Sequence, residues 1–142
     1  ADALLNYDEE DLKDALRAHT GDAGPNVIYD CVGDRYAEPA LRAIAWAGRY
    51  LVVGFAAGEI PRIPLNLLLL KGCEMAGVFF GRFTELEPDR HAANMQQLLA
   101  WCQDGTLKPH IGKVFPLEET AEAVTMLEER RAVGKIVVRP GG

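Results

Sequence analysis

Short apolar segments rich in β-formers alternate with helix-like segments along the chain, and this alternation constrains the fold more than any other feature. The β-rich segments span residues 27–29, 50–53, 75–80, 110–115 and 135–139. The first three are continuous apolar runs, which are typical of parallel strands buried on both faces. Strands that alternate with helices over short connections predict an α/β sandwich around a mainly parallel sheet.

The helix-like segments carry predicted caps and inner faces. Asp8 is the predicted N-cap of a first helix that ends at Gly21, and the four leucines 67–70 predict a short buried helix ending at Gly72. A longer helix is predicted over residues 88–103 and another before the last strand. The predicted inner faces of these last two helices consist of Ala92, Met95, Leu99 and Cys102, and of Leu117, Ala121, Val124 and Leu127.

Ligands of such folds bind beyond the carboxyl ends of the strands, where residues 30–33, 54–58 and 78–81 are expected. Small residues in 54–58 leave the backbone open to a planar ligand, although an ordinary turn explains the same glycines. Asp30 suits either a ribose hydroxyl or an ordering role within its own loop. Tyr7 suits either stacking on an adenine or an ordinary core or surface position.

Composition removes several classes of function. The formal net charge is −6 and the basic residues are scattered, so no nucleic-acid or anionic-lipid footprint is visible. The chain contains no serine, which excludes Ser-His-Asp catalysis. Its three cysteines lack metal-site or disulfide spacing and are expected to be reduced, mostly buried thiols, which suggests a cytoplasmic protein. No apolar stretch has the length of a membrane span.

Four segments in order resemble the zinc-independent quinone oxidoreductases of the medium-chain dehydrogenase/reductase family. They are Leu5-Asn6-Tyr7-Asp8, Val27-Ile28-Tyr29-Asp30-Cys31-Val32-Gly33, Gly48 through Gly58, and Gly134-Lys135-Ile136-Val137-Val138. The stretch from Ile60 to Gly81 is similar too, so the resemblance covers essentially the whole chain. It implies a partial Rossmann-type three-layer sandwich that lacks the first strands and the glycine-rich turn.

The resemblance also implies a cofactor and its contacts. In that family hydride passes from NADPH to a quinone or another activated carbonyl without zinc. Tyr7 would pack beside the adenosine half, and the strand ends would surround the ribose and nicotinamide. The residues implied for cofactor binding are Tyr7, Asp30, Cys31, Val53, Gly54, Phe55, Ala56, Ala57, Gly58, Gly77, Val78, Phe79 and Phe80. No catalytic acid is implied.

The chain departs from the family pattern because it contains no Gly-x-Gly-x-x-Gly turn to hold the pyrophosphate. With no initiator Met, it is expected to be a fragment, inactive by itself, with residues 1–109 from the Rossmann domain and 110–142 returning to the catalytic domain. In the family's sheet, ordered 3-2-1-4-5-6, the segment near Leu4 matches the third strand, whose usual neighbours are absent. The next three strand segments match the fourth, fifth and sixth strands. A homodimer is expected through the apolar edge strand 73–80.

Two rival interpretations remain open from the sequence. One is a non-catalytic α/β binding or assembly module. The other is a different α/β enzyme, such as a methyltransferase in which Asp30 binds a ribose-type hydroxyl. The electron acceptor, and the choice between NADPH and NADH, are not specified by these residues.

Overall fold

The computed structural model describes residues 1–141, and they divide into two compact units, the first ending at Arg82 and the second beginning at Phe83. The α-helices α1 to α6 are Leu12–Thr20, Ala37–Ala43, Asn66–Lys71, Phe80–Leu86, Pro88–Gln103 and Thr120–Glu128. The strands β1 to β5 are Val27–Asp30, Arg49–Val52, Glu74–Gly77, Ile111–Pro116 and Lys135–Arg139.

The first unit is built on a three-stranded parallel sheet in the order β1-β2-β3. Its register places Ile28, Tyr50 and Met75 side by side on one face. Helices α1, α2 and α3 pack on that face around a core centred on Leu41, Ile44, Tyr50 and Leu67. The arrangement confirms the predicted α/β class with a parallel sheet. It also corresponds to the expected fourth, fifth and sixth strands of a Rossmann sheet.

The opposite face of this sheet is open, contrary to the expectation of strands buried on both sides. Val27 is 59% exposed and Tyr29 is 66% exposed. Arg49 on β2 forms an ion pair with Glu74 of β3 on the same face. The apolar runs therefore predicted more buried strand residues than the structure has, because the helices of this unit pack on only one face of the sheet.

Residues 1–6 adopt neither helix nor strand, and Leu4 is 88% exposed. The first helix begins later than predicted, because Asp11 and not Asp8 is its N-cap. The Asp11 carboxylate accepts the backbone N–H of Asp14 at 3.0 Å. The amides of Glu9 and Glu10 bond to the Asn6 carbonyl and form a separate turn before the helix. The helix ends before Gly21, as predicted.

The four-leucine segment forms a helix, but only part of it is buried. Leu67 is 5% exposed, whereas Leu69 and Leu70 are 81% and 70% exposed. A six-residue helix completes fewer than two turns, so consecutive leucines point in different directions and cannot all face the core. Gly72 then ends the helix in the left-handed conformation, with φ 54°.

Strand β3 ends at Gly77, and helix α4 begins at Phe80. The predicted strand over residues 75–80 is therefore too long. The amides of Glu74 and Val78 bond to carbonyls beside β2, so the backbone groups of Met75 and Gly77 point to the outer edge. That edge has no neighbouring strand among the described residues.

The second unit contains the parallel pair β4 and β5 with helix α6. Phe115 and Ala123 are its buried apolar side chains among residues 83–141. The predicted inner faces are wrong. Leu117, Val124 and Leu127 are about half exposed or more, at 54%, 48% and 54%, while α5 buries none of its residues. The one residue of α6 that is fully buried is Ala123, which was not among the four predicted inward positions.

Candidate functional site

The carboxyl ends of the three strands in the first unit carry two loops that are tied together by backbone hydrogen bonds. The amides of Val53 and Gly54 donate to the Asp30 carbonyl at 2.8 and 3.3 Å. The amides of Ala56 and Ala57 donate to the carbonyls of Cys31 and Val32 at 3.1 and 3.0 Å. The structure therefore brings together residues 30–33 and 53–58, as the sequence predicted.

Asp30 organises this edge of the sheet through its side chain as well. One carboxylate oxygen accepts the amides of Val32 and Gly33 at 2.8 and 2.9 Å. The other accepts the hydroxyl of Tyr50 at 2.5 Å. Both oxygens thus have partners within the chain, which favours the loop-ordering role for Asp30 over direct binding of a ribose hydroxyl.

Tyr50 is a site residue that the sequence analysis did not single out. It is 1% exposed, and its hydroxyl lies on the helix-covered face beside Asp30. Burial raises the pKa of the Tyr50 phenol above its ordinary value, and the hydrogen bond to Asp30 and that carboxylate's charge raise it further. A buried tyrosine hydroxyl needs a partner, and that rule is the signal that would have pointed to the pair.

The amides of the 53–58 loop are largely used within the chain. Besides the four bonds to residues 30–32, the Gly58 amide donates to the Phe55 carbonyl at 3.0 Å. The sequence predicted that the backbone of this loop is open to a planar ligand. The structure instead shows that most of its amides are already hydrogen-bonded within the chain. The loop instead offers a fixed surface of small residues.

Two glycines at this edge leave open space that the packing of the chain does not require. A Cβ atom on Gly54 would approach the Cys31 carbonyl oxygen no closer than 3.5 Å, which is an ordinary contact. A Cβ atom on Gly77 would meet nothing within 4 Å. The space beside Gly54 and Gly77 is thus available to a ligand.

Other predicted residues occupy different surroundings. The Phe55 ring lies over Gly33, where an added Cβ would come within 2.7 Å of it. Val78 lies at the strand end, where its backbone N–H donates a hydrogen bond to the Val52 carbonyl at 2.8 Å. Phe79 and Phe80 follow the end of β3 and are 77% and 61% exposed. The two phenylalanines are therefore presented outward instead of lying within a strand.

Tyr7 is held on the first unit by an aromatic and polar cluster. Its ring lies 4.7 Å from the ring of Tyr36, centroid to centroid. The Tyr36 hydroxyl donates to Asp8 at 2.8 Å and accepts from Arg35 at 2.7 Å. Tyr7 also lines an apolar cavity of about 230 Å³ next to β1, whose other walls include Leu12, Leu16, Ile28, Asp30 and Tyr36.

The profile of the family described as zinc-binding dehydrogenase matches residues 1–138 of this chain. The chain belongs to that family. Within it, a quinone oxidoreductase-like protein 2 from Bos taurus is 38% identical over 138 residues, covering 97% of this chain and 40% of the relative. The chain spans about two fifths of the length of such relatives. The family match and these relatives together place it in the quinone oxidoreductase-like branch of the medium-chain dehydrogenases/reductases, a family of oxidoreductases.

Solved structures share the fold of this chain. A mycobacterial protein in complex with NADPH superposes with a TM-score of 0.83 at 24% identity, covering 99% of this chain and 43% of that one. The Escherichia coli quinone oxidoreductase in complex with NADPH gives a TM-score of 0.82 at 24% identity, covering 96% and 42%. At these identities the likeness establishes the shared fold. The methyltransferase interpretation finds no support in these dehydrogenase matches.

The family's description mentions zinc, and His, Cys, Asp and Glu are the side chains that could bind such a metal ion. Among residues 1–141, no group of three or more His, Cys, Asp or Glu side chains is arranged to hold a metal ion. The three cysteines are unpaired, but the expectation that they are mostly buried is wrong, since Cys31 and Cys102 are exposed and Cys73 is half-buried. No helix within the described residues is both long and apolar enough to cross a bilayer.

Proposed function

We propose that this chain forms the nicotinamide side of the cofactor site in an oxidoreductase that transfers hydride from NADPH to a quinone or a similar activated carbonyl. The observation that carries the proposal is the ordered edge formed by residues 30–33 and 53–58, with open space beside Gly54 and Gly77. A flat ring needs such a surface of small residues to be held face-on.

The residues present fit the nicotinamide end of the cofactor better than its phosphates. The Cβ positions of Gly54 and Gly77 are open, and the loop between Val53 and Gly58 is fixed by its own hydrogen bonds. Cys31, Phe55, Ala56, Ala57 and Val78 complete this surface in the proposal. Phe79 and Phe80 remain proposed contacts for the substrate side, since both rings are exposed.

The cofactor supplies the hydride when it is bound, and the chain's own residues act by binding and orientation. The side-chain carboxylate of Asp30 accepts the amides of residues 32 and 33, while the backbone carbonyl of Asp30 accepts the amides of Val53 and Gly54. The small side chains of Ala56 and Ala57 let a ring approach the loop closely. No acid or base in the chain is assigned to the reaction.

Tyr7 is the proposed contact for the adenosine half. Its support is the ring of Tyr36 behind it and the apolar cavity beside it, which together give a flat base an aromatic and aliphatic surface. NADPH is the proposed cofactor because the resemblance implies it and because two of the structural neighbours were solved with it.

Several finer features belong to the same proposal. The reaction proceeds without zinc, as the resemblance implies, and the protein acts in the cytoplasm, which is supported by three free cysteines. Residues 1–109 derive from the cofactor domain and 110–142 from a segment that returns to the catalytic domain. A homodimer forms through the 73–80 segment, supported by the outer edge of β3 and by the 77% exposure of Phe79.

A thermal-shift comparison tests the proposed function against its rivals. NADPH should raise the unfolding temperature of the chain, because a ligand that binds the folded state stabilises it. S-adenosylmethionine at the same concentration should leave the temperature unchanged. A shift with S-adenosylmethionine alone would support a methyltransferase, and no shift with either compound would support a binding or assembly module.

A further inference from the structure

We infer that Tyr50 is a positioning residue of the cofactor site, acting through Asp30 to hold both loops at the carboxyl edge of the sheet. The inference rests on the proposed function, since it assigns a role within the same site. It names a residue that neither the sequence pattern nor the resemblance pointed to.

The hydrogen bonds at Asp30 carry the inference. This one residue accepts the amides of Val32 and Gly33 on its side chain and those of Val53 and Gly54 on its carbonyl. The two loops of the proposed site therefore depend on where Asp30 sits. A shift of its carboxylate would move residues 32 and 33, and the Val32 carbonyl, which accepts the Ala57 amide, would carry the change to the second loop.

Tyr50 fixes that position from below the site. Ile28 and Tyr50 are partners in the β1–β2 register, so Asp30 and Tyr50 lie on the same face of adjacent strands. The phenol ring is buried at 1% exposure in the core formed with Leu41 and Ile44, which restrains its rotation. Its hydroxyl then meets the Asp30 carboxylate at 2.5 Å. Hydrogen bonds to an ionised group are among the stronger ones in proteins.

The arrangement separates positioning from binding. Tyr50 lies beneath the loop, and its hydroxyl is used by Asp30, so it makes no contact of its own with a ligand on the loop surface. Loss of the hydroxyl should therefore weaken binding of the nicotinamide end by loosening the loops. The adenosine end, which the proposal assigns to Tyr7, should be unaffected.

The test uses the full 142-residue chain, the substitution Tyr50→Phe and two probes followed by NMR titration: reduced nicotinamide mononucleotide and 2′,5′-ADP. Tyr50→Phe should weaken mononucleotide binding about tenfold, the effect expected when the loosened loops keep the binding-competent arrangement in only about a tenth of the molecules. Binding of 2′,5′-ADP should change less than about twofold. Amide hydrogen exchange should become faster at residues 32 and 33, and at Ala57, whose amide donates to the Val32 carbonyl.

Tyr29→Phe is the matched control, because it removes the same hydroxyl from a neighbouring strand where the side chain is 66% exposed. It should leave the mononucleotide titration unchanged, and only that titration serves as the control because Tyr29 lines the cavity assigned to adenosine. If Tyr50→Phe does not fold, Asp30→Asn serves as the second variant, since its amide group retains one acceptor and can donate to the Tyr50 oxygen. Asp30→Asn should keep the fold and show the same selective loss, with a smaller fold-change.

The outcomes separate the inference from the proposed function. If the wild-type chain binds the mononucleotide and the variant that folds binds it equally tightly with unchanged exchange, the inference is overturned while the proposed function stands. An equal loss for both probes would also overturn it, because that pattern indicates general destabilisation. If the wild-type chain does not bind the mononucleotide at residues 53–58, the proposed function fails and the inference falls with it.

Discussion

Asp30, Tyr50 and Gly54 determine the character of the proposed site at the scale of single residues. The sequence pointed to Asp30 and Gly54 because both follow β-rich segments. It did not reveal Tyr50, since strand periodicity places a tyrosine on a face but does not identify the atom its hydroxyl meets. That partner is 20 positions away in the sequence, and only the β1–β2 register brings the two together.

Gly54→Ala should separate ligand binding from folding. The added Cβ has only an ordinary contact with the Cys31 carbonyl, so the unfolding temperature should stay near that of the wild type. NADPH affinity should fall by roughly fivefold or more, about 1 kcal/mol, because the methyl group occupies the open space above the backbone. The larger Gly54→Val should weaken binding further. Fluorescence titration with NADPH measures the affinity of both variants, and thermal unfolding measures their stability.

Gly72→Ala is the contrasting glycine substitution. Gly72 has φ 54°, and an added Cβ would lie 2.5 Å from the Trp46 ring. Alanine in the left-handed conformation costs about 1–2 kcal/mol before any steric conflict is counted. Gly72→Ala should therefore lower stability.

Unchanged NADPH affinity in Gly54→Ala would contradict the assignment of the 53–58 loop to the cofactor.

Tyr50→Phe should also change how stability depends on pH. The folded state raises the pKa of this phenol above the ordinary value of 10.0. Below about pH 10 the hydroxyl is protonated in both states and its stabilisation is fully present. Above that pH the unfolded chain releases the proton more readily than the folded chain, so stability falls as pH rises.

Urea unfolding between about pH 8 and pH 11 provides the measurement for Tyr50. The wild type should lose more stability over this range than Tyr50→Phe. At neutral pH the variant should be less stable by about 1.5–3 kcal/mol, the range for a hydrogen bond to a charged group. Parallel alkaline slopes for the two proteins would show that the phenol is not held as the structure describes.

At the scale of elements, the sequence predicted where most helices and strands lie but not which of their faces are buried. Helix α5 was predicted over residues 88–103 and observed as Pro88–Gln103, yet none of its residues is buried. The cap of α1 was displaced from Asp8 to Asp11 because Asp8 accepts from Tyr36 instead. Such outcomes depend on tertiary partners, which local periodicity does not contain.

The outer edge of β3 leads to a prediction about association. Met75 and Gly77 direct their backbone groups outward, and Val78 and Phe79 beyond them are 38% and 77% exposed. Pairing of this edge with a second copy around a twofold axis would satisfy both strands. Val78→Lys or Phe79→Pro should therefore shift a dimer toward monomer or unfolded protein.

Light scattering at micromolar concentration measures this association. Val133→Lys is a suitable control, because Val133 is 72% exposed and lies far along the chain from β3. It should leave the dimer intact. A monodisperse wild-type monomer, or a twofold interface that excludes residues 73–80, would contradict the prediction.

At the scale of the whole molecule, the fold class followed from the alternation of strands and helices in the sequence. The order of the strands in the first unit followed only from the family resemblance. The division into units ending at Arg82 and beginning at Phe83 was not anticipated. The chain contains no Gly-x-Gly-x-x-Gly turn and spans 40% of its bovine relative. Activity is therefore expected to need more than these residues.

The chain by itself should show no useful NADPH-dependent quinone reductase activity, because it has no glycine-rich turn to bind the pyrophosphate. A spectrophotometric assay of NADPH oxidation with a simple quinone tests this expectation. Turnover in the ordinary enzymatic range of ~1–10³ s⁻¹ would contradict it.

Backbone amide NMR of the 142-residue chain shows directly whether NADPH binds at the carboxyl edge of the sheet. On titration, the largest shifts should fall in residues 30–33, 53–58 and 77–78, with a smaller group around Tyr7. Shifts concentrated in the second unit, for example around the cavity lined by Val114 and Arg139, would contradict the proposed cofactor site. The absence of any shift at millimolar NADPH would contradict it equally.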